Sequence, residues 1–315
     1  MQQVLSVHLT IPDICNQLRL DQAISSLLPE YSRSRIQQWI KHGYVTIRDE
    51  KLSQKFKVVS GQVVTINAIL DEPNFFLPQS IELNIVYEDR DLIIINKPVG
   101  LVIHPGAGNL SNTLLNALLY HYPELSQVPR AGIIHRLDKN TTGVMVVARN
   151  LQSNHRLVAM LQRREIKREY LALVHGRVVS GGTITTALGR NKQKRILMAV
   201  RDQGKVAITH YRVIERFAKH TYLRVFLETG RTHQIRVHLA HLGFPIIGDP
   251  DYGGVKKVSH VLPEILRNTI ENFNHQALHA ARLEFCHPIT GKLLSWEAPL
   301  PQDFEQLLRF LGELC

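Results

Sequence analysis

One carboxylate, Asp138, stands in the stretch "AGIIHRLDKNTTGVMVV" (131–147), among His135, Arg136 and Lys139. A lone acid in such company does one of two kinds of work. It caps its own turn or pairs with a neighbouring arginine, or it serves as nucleophile or base toward a bound substrate. Asn140, Thr141, Thr142 and Gly143 are turn formers, and the apolar runs on either side read as two buried strands. The acid is therefore expected at a strand-to-strand corner anchored in the core.

A second dense stretch, "LETGRTHQIRVHLAHLGFPIIGD" (227–249), places Arg231 where a strand end meets a helix, with Thr232 as expected N-cap and Gly243 as terminator. Strand ends present side chains to clefts. His233, His238 and His241 follow, but the first two stand about 140° apart around a helix. Without an HExxH pattern or a helical carboxylate beside them, they read as core or surface residues, and no metal is expected. Tyr170 in "REYLALVHG" shares a strand face with Ala172 and Val174, as a core tyrosine or a site residue would. The segment 189–205 carries six basic residues, among them Arg190, Lys192, Lys194 and Arg195, against one acid. It is either a solvated hairpin or a loop that grips phosphates.

These residues need a frame. Near the N-terminus, Leu20, Ile24, Leu27 and Leu28 fall on one helical face, and Pro29 ends the run. A second helix opens at Ser32, buries Ile36, Trp39 and Ile40 and stops at Gly43; Arg33, Gln37 and Lys41 share another face. With Arg19 and Arg35 close by, that face is a solvated stripe or an RNA-binding one. Residues 13–70 form the expected small module, and 71–80, with two prolines, a linker. Over 81–315 strand-like segments dominate ("NIVYED", "LIIINK", "AGIIH", "VMVVAR", "EYLALVHG", "ITHYRVIERF", "TYLRVFLET"). Helices are expected near 111–120, 151–164 and 232–242, and at the C-terminus with Phe304, Leu307, Leu308 and Leu311 inward. Strands that mostly follow one another predict an α+β fold with a mixed or antiparallel sheet.

The 315 residues carry a formal net charge of +11, which calls for a polyanionic partner, nucleic acid before an acidic membrane surface. Three scattered cysteines, Cys15, Cys286 and Cys315, form no disulfide framework. No signal peptide or membrane-spanning run is legible, so the expectation is a cytoplasmic protein with no membrane partner.

At "HRLDKNTTG" the sequence resembles the pseudouridine synthases of the large-subunit ribosomal RNA type. "NKPVGLVIHPG", "REYLALVHG", "TGRTHQIRVHL" and "ALHAARLEFCHPITGK" are similar to other blocks of that family, in order, over 81–300. "RLDQAI", "SRSRIQQWIKHGYVTI" and "VVSGQVVTI" resemble an S4 RNA-binding module, except that "RDEK" stands where the usual Asn-Gly turn would be. The resemblance implies an S4-like domain followed by a synthase domain on a mixed, mostly antiparallel sheet with a central cleft. It implies isomerisation of uridine by breaking the C1′–N1 bond and rejoining the base through C5, with no cofactor and no metal. The family's catalytic aspartate falls on Asp138, its partner arginine on Arg231 and its base-stacking tyrosine on Tyr170. Arg136 fills the space left by a flipped-out base, with His135 beside it. The implied partner is 23S ribosomal RNA, at one stem-loop facing the small subunit, acted on by a monomer. Other 23S sites, tRNA, a non-catalytic ribosome-assembly factor and a metal-dependent nucleic-acid hydrolase are the competing readings.

Overall fold

The computed structural model describes residues 3–29, 31, 33–70, 77–106, 108–253 and 264–314. The expected N-cap Ser32, residues 71–76 of the expected linker and Cys315 lie outside them. The chain divides into two compact units, Met1–Phe75 and Phe76–Cys315.

The first unit runs β1 (Gln3–Thr10), α1 (Leu20–Leu27), α2 (Arg33–His42), β2 (Val45–Ile47), β3 (Glu50–Lys51) and β4 (Val63–Leu70). Its strands form an antiparallel sheet in the order β1-β4-β2-β3. The module therefore begins ahead of residue 13: β1 pairs with β4 from Gln3 opposite Leu70 to Thr10 opposite Val63. The two helices bury Leu20, Ile24, Ile36, Trp39 and Ile40 against Val45, Val64 and Ile66. Gly43, at φ +78°, ends α2 as expected.

Arg48 and Asp49 connect β2 to β3, and both take positive φ, 50° and 65°. That is the two-residue hairpin turn that Asn-Gly makes easily, built here from residues that resist it. Replacing Arg48-Asp49 with Asn-Gly is expected to stabilise this unit by about 1–2 kcal/mol. Denaturant unfolding of the two chains measures it, and an unchanged midpoint would refute the strain.

The second unit continues with β5 (Ile85–Glu88), β6 (Leu92–Lys97), α3 (Leu114–His121), β7 (Thr142–Ala148), α4 (Leu151–Gln162) and β8 (Lys167–His175). Next come β9 (Gly182–Arg190), β10 (Met198–Val200), β11 (Lys205–Arg216), β12 (His220–Leu227) and α5 (Gln234–His241). The chain closes with α6 (Glu264–Glu271), β13 (Leu278–Cys286), β14 (Leu293–Glu297) and α7 (Gln302–Leu314). Among the described residues one sheet runs β10-β9-β11-β12-β8-β13-β7-β6-β5, with β14 also on β13. Only β13 and β7 are parallel neighbours; the other pairs are antiparallel. The α+β expectation, with a mixed and mostly antiparallel sheet, is met.

The apolar run of β6 is explained by cover on both faces. Ile93 and Ile95 join a core with α3, α5 and α7, whereas Leu92 and Ile94 join another with α4, Phe285 and Trp296. β7 is split the same way, Met145 and Val147 against Val144 and Val146. Phe304, Leu307 and Leu311 of α7 are buried, and Leu308 packs beside them.

The expected strand over "AGIIH" is not one. Pro129–Gly132 forms a tight helical turn in which Arg130 and Ala131 take left-handed φ, and Ile133 makes only a single bridge to Val147. Gly132 lies so close to β7 that an added Cβ would meet the Ala148 carbonyl oxygen at 1.9 Å. The backbone presses against the sheet instead of joining it. A similar approach occurs at Gly143, where a Cβ would come within 2.1 Å of the Ala280 carbonyl oxygen. There glycine permits the junction of β7 with β13.

Candidate active site

Asp138 lies in the loop that leads into β7, its side chain 15% exposed. The loop is pinned from several directions. The Thr141 amide donates to the Asp138 carbonyl, Gln276 donates to the Thr141 hydroxyl at 3.1 Å, and Thr142 bonds the His279 ring at 2.8 Å. Lys97 is wholly buried behind it and donates to the carbonyls of Pro98, Leu101 and Lys139. Burial pulls the Lys97 pKa down to about 7, against the pull of the Asp138 charge. The three carbonyl acceptors fit the three protons of an ammonium.

The arginine that meets Asp138 is Arg236, not Arg231. Its Nη1 donates to Asp138 Oδ2 at 3.2 Å. Asp249 grips the same guanidinium with both oxygens, at 2.7 and 2.9 Å, and Asp251 accepts from Nη2 at 2.7 Å. The Tyr252 ring lies 4.9 Å from its central carbon. Burial would lower the Arg236 pKa, and Asp249, Asp138 and Asp251 together hold it above its ordinary value. A permanent cation thus faces Asp138 with its orientation set by two further carboxylates. Arg231 lines the same pocket, but its Nε donates to the Val206 carbonyl at 3.3 Å. The two arginines sit at opposite ends of one short segment. Arg231 is on the strand-to-helix turn, and Arg236 is on the buried inner turn of α5.

That helix does not start as expected. Its N-cap position is His233 in a left-handed conformation with no side-chain cap, and the Gln234 side chain instead ties down the preceding turn by accepting from the Arg231 amide and the Thr229 hydroxyl. Thr232 therefore does not cap it. The turn sends His233 into the pocket, where Nδ1 meets the Tyr252 hydroxyl at 2.7 Å and Nε2 stands 3.8 Å from Asp138 Oδ1. Burial lowers the His233 pKa despite Asp138. His238 is held between the hydroxyls of Thr186 and Thr209, so the histidines do not converge.

Tyr170 is buried on β8 and lines the pocket. Burial raises its pKa, Arg168 opposes that and Asp138 adds to it, so it is a neutral phenol. Arg136 is exposed at the rim. His135 lines the wall, but its Nε2 accepts from the Val146 amide at 3.0 Å, and burial drives its pKa down to about 3. It is an uncharged pin for the loop, not a cation for phosphate. The pocket encloses about 500 Å³, room for one nucleobase with part of its sugar.

The remaining basic residues lie elsewhere. Arg19 and Arg33 both bond the fully buried Asp21, as does Gln37. Burial would raise the Asp21 pKa, and those hydrogen bonds outweigh it, leaving the group below the usual carboxylate range. The two guanidiniums are therefore splayed by one acid, each still partly exposed. Arg35 stacks near Tyr31 and Trp39, and Lys41 is exposed. Residues 189–205 form the expected hairpin of β9 and β10; Lys192, Lys194 and Arg195 are exposed, and Arg190 bonds carbonyls of its own loop.

Among the described residues, one group has metal-like spacing: Asp89, Asp91 and His287. His287 Nδ1 accepts the amides of Ile289 and Thr290, so its proton sits on Nε2, facing Asp89 at 3.1 Å. A ring nitrogen that already carries a proton is not a ligand.

Sequence reading missed Arg236, His233, Asp249, Asp251, Tyr252 and Lys97. One signal was present: "GDPDY" places two acids just beyond a helix that carries an arginine and no acid.

Comparison with known proteins covers both units of the chain. A family model described as RNA pseudouridylate synthase matches 91–241, and an S4 domain model matches 18–64. The ribosomal large subunit pseudouridine synthase D of Pseudomonas aeruginosa is 53% identical over 295 residues, covering 94% of this chain and 92% of that protein. The protein of that name from Escherichia coli K12 is 51% identical over 308 residues, covering 97% and 94%. Two solved human structures are similar. RNA Pseudouridylate Synthase Domain Containing 4 has a TM-score of 0.57 at 25% identity, covering 73% of this chain and 93% of that one. Domain Containing 1 has a TM-score of 0.54 at 27% identity, covering 74% and 96%.

Proposed function

Because the chain belongs to the RNA pseudouridylate synthase family, we propose that it isomerises uridines of 23S ribosomal RNA, with Asp138 as the residue that acts on the target nucleoside. The observation that carries this is the Asp138–Arg236 contact in a pocket with room for one flipped base and part of its sugar. A cation held by Asp249 and Asp251 donates to Asp138 and fixes the direction of its carboxylate toward the pocket, for attack on the sugar or removal of a proton. A base in a stem cannot reach that carboxylate, so it must leave the stack, at a cost of a few kcal/mol. Arg136, exposed at the rim, then occupies the vacancy. Tyr170 lies against the base, and its neutral phenol offers a flat apolar face.

The target we favour is the stem-loop of 23S rRNA that faces the small subunit. Two relatives of about 50% identity are named for synthesis on the large subunit. Loop bases are partly unstacked, which lowers the cost of flipping. The test is incubation of the purified protein with transcribed 23S rRNA, and separately with tRNA, followed by carbodiimide mapping of pseudouridine. Reverse-transcription stops confined to that stem-loop are expected. Stops only in tRNA, or only at distant 23S positions, would overturn the substrate while leaving the chemistry of Asp138 intact.

The first unit adds grip. Arg33 and Lys41 are exposed on α2 and Arg19 shares Asp21 with Arg33, so the unit offers several cations, and each phosphate contact steepens the salt dependence by roughly one unit of slope. Deleting residues 1–75 is expected to weaken rRNA binding and flatten that slope while modification persists at saturating RNA. A folded fragment that is inactive at saturation would show that the first unit belongs to the active site.

A further inference from the structure

Arg168 has no role in the chemistry described so far, yet it is 7% exposed and lines the Asp138 pocket. On β8 it precedes Tyr170 by two residues, so both point to the same face. Its hydrogen bonding is incomplete. Nε is buried with no partner, and Nη2 reaches only the carbonyls of Leu227 and Glu228, each at 3.4 Å. Among the described residues no carboxylate pairs with it. A buried guanidinium left this way is costly, and five donors are far from satisfied. Arg236, in the same pocket, is saturated by three acids. Arg168 is thus the enclosed cation with donors to spare.

The space it occupies is kept open. A Cβ on Gly230 would stand 2.7 Å from Arg168 Nη1, so the absence of a side chain there lets the guanidinium lie at the pocket wall. Its burial separates it from backbone phosphates, which stay outside the pocket, whereas Arg136 and Arg231 are exposed at the rim. A flipped base is the part of the RNA that reaches that depth.

Resting on the reading that the substrate is uridine, we propose that Arg168 donates to a carbonyl oxygen of the flipped uracil and holds the negative charge that collects there when the glycosidic bond breaks. Heterolysis leaves the C1′–N1 electron pair on the base, spread over N1 and the two carbonyl oxygens. Reattachment returns a pair to make C1′–C5, the proton on C5 leaves, and one is gained at N1, so atoms balance within an isomerisation. A fixed guanidinium at a carbonyl oxygen stabilises the detached base more than the bound uridine, which is the condition for raising the rate. Placed at O4, the same donor also selects the base, because cytosine carries a donor at N4; placed at O2 it stabilises the charge without selecting, and the two thio substrates tell these apart.

The test compares the wild-type chain with Arg168→Met on one RNA containing uridine, 4-thiouridine or 2-thiouridine at the target, because sulfur is a weaker acceptor. The variant is expected to lose about 100-fold in kcat on uridine, with little change in KM or RNA affinity. Wild type is expected to lose about tenfold with one of the two thio substitutions, and Arg168→Met to show no such penalty. Equal rates for the two proteins on uridine, or the same thio penalty in both, would overturn the proposal. So would loss of RNA affinity with the thio penalty retained, which would mark a phosphate contact. If Arg168→Met does not fold, Gly230→Ala keeps the guanidinium but displaces it and should likewise lower kcat and erase the thio penalty. A wild type indifferent to both sulfurs refutes the idea without any variant. Absence of pseudouridine from every wild-type reaction would be a failure of the parent reading instead.

Discussion

Replacing Asp138 with asparagine is expected to lower pseudouridine formation by about 10⁴-fold or more, with RNA affinity nearly unchanged. The amide keeps the shape of the side chain but is neither a nucleophile nor a useful base. Affinity comes from many phosphate contacts across a surface with a formal net charge of +11, and none of those is altered. Stability should also hold. Asp138 is partly exposed, and Arg236 retains Asp249 and Asp251, so no buried charge is orphaned. Single-turnover assays at saturating RNA, with thermal melts of both proteins, provide the measurement. Residual modification within tenfold of wild type would remove Asp138 from the reaction.

Arg236→Met carries a double penalty. Asp249 is wholly buried, and loss of its partner strands a carboxylate in the core, which costs about 3–5 kcal/mol. The same change removes the guanidinium that orients the Asp138 carboxylate, so the folded fraction should also turn over at least ~100-fold more slowly. Arg236→Lys separates the two effects. It restores positive charge and part of the stability, but a point charge cannot hold three carboxylates in a planar fork, and the rate should stay low. Arg231→Met is the contrast. Its Nε meets only the Val206 carbonyl, so it should affect RNA binding more than the rate at saturation. If Arg231→Met instead abolishes turnover and Arg236→Met only destabilises, Arg236 is scaffolding and Arg231 the partner.

The frame was legible wherever side chains alternate or repeat. β12 buries Leu223 and Val225 and turns Arg224 outward; α2 buries the predicted stripe. β13 was not legible, because Ala280 and Ala281 carry no strand pattern and its His279 is buried through bonds to Thr142 and the Ala298 carbonyl. "AGIIH" failed for the opposite reason: its apolar residues face the core, but Gly132 brings the backbone too near Ala148 to pair. Asp138 stood out because it is an acid among bases. Arg236 did not, because α5 is buried nearly all round and so lacks the polar face that usually marks which residue points where. The identity of its partner depends on contacts 13 and 98 residues distant, which spacing along the chain does not encode.

The place of β13 bears on how the enzyme comes into being. It lies between β8, which carries Tyr170, and β7, which follows Asp138. Thr142 waits for His279, 137 positions further on, and Thr141 for Gln276. During synthesis the first unit emerges whole and able to fold, while the two halves of the pocket have no strand to join them. β13 must then enter the middle of the sheet, a non-local pairing of the kind that folds slowly. A nascent chain halted before residue 278 would hold RNA without modifying it. Catalytic competence therefore depends on one distant strand joining two that precede it by more than a hundred residues.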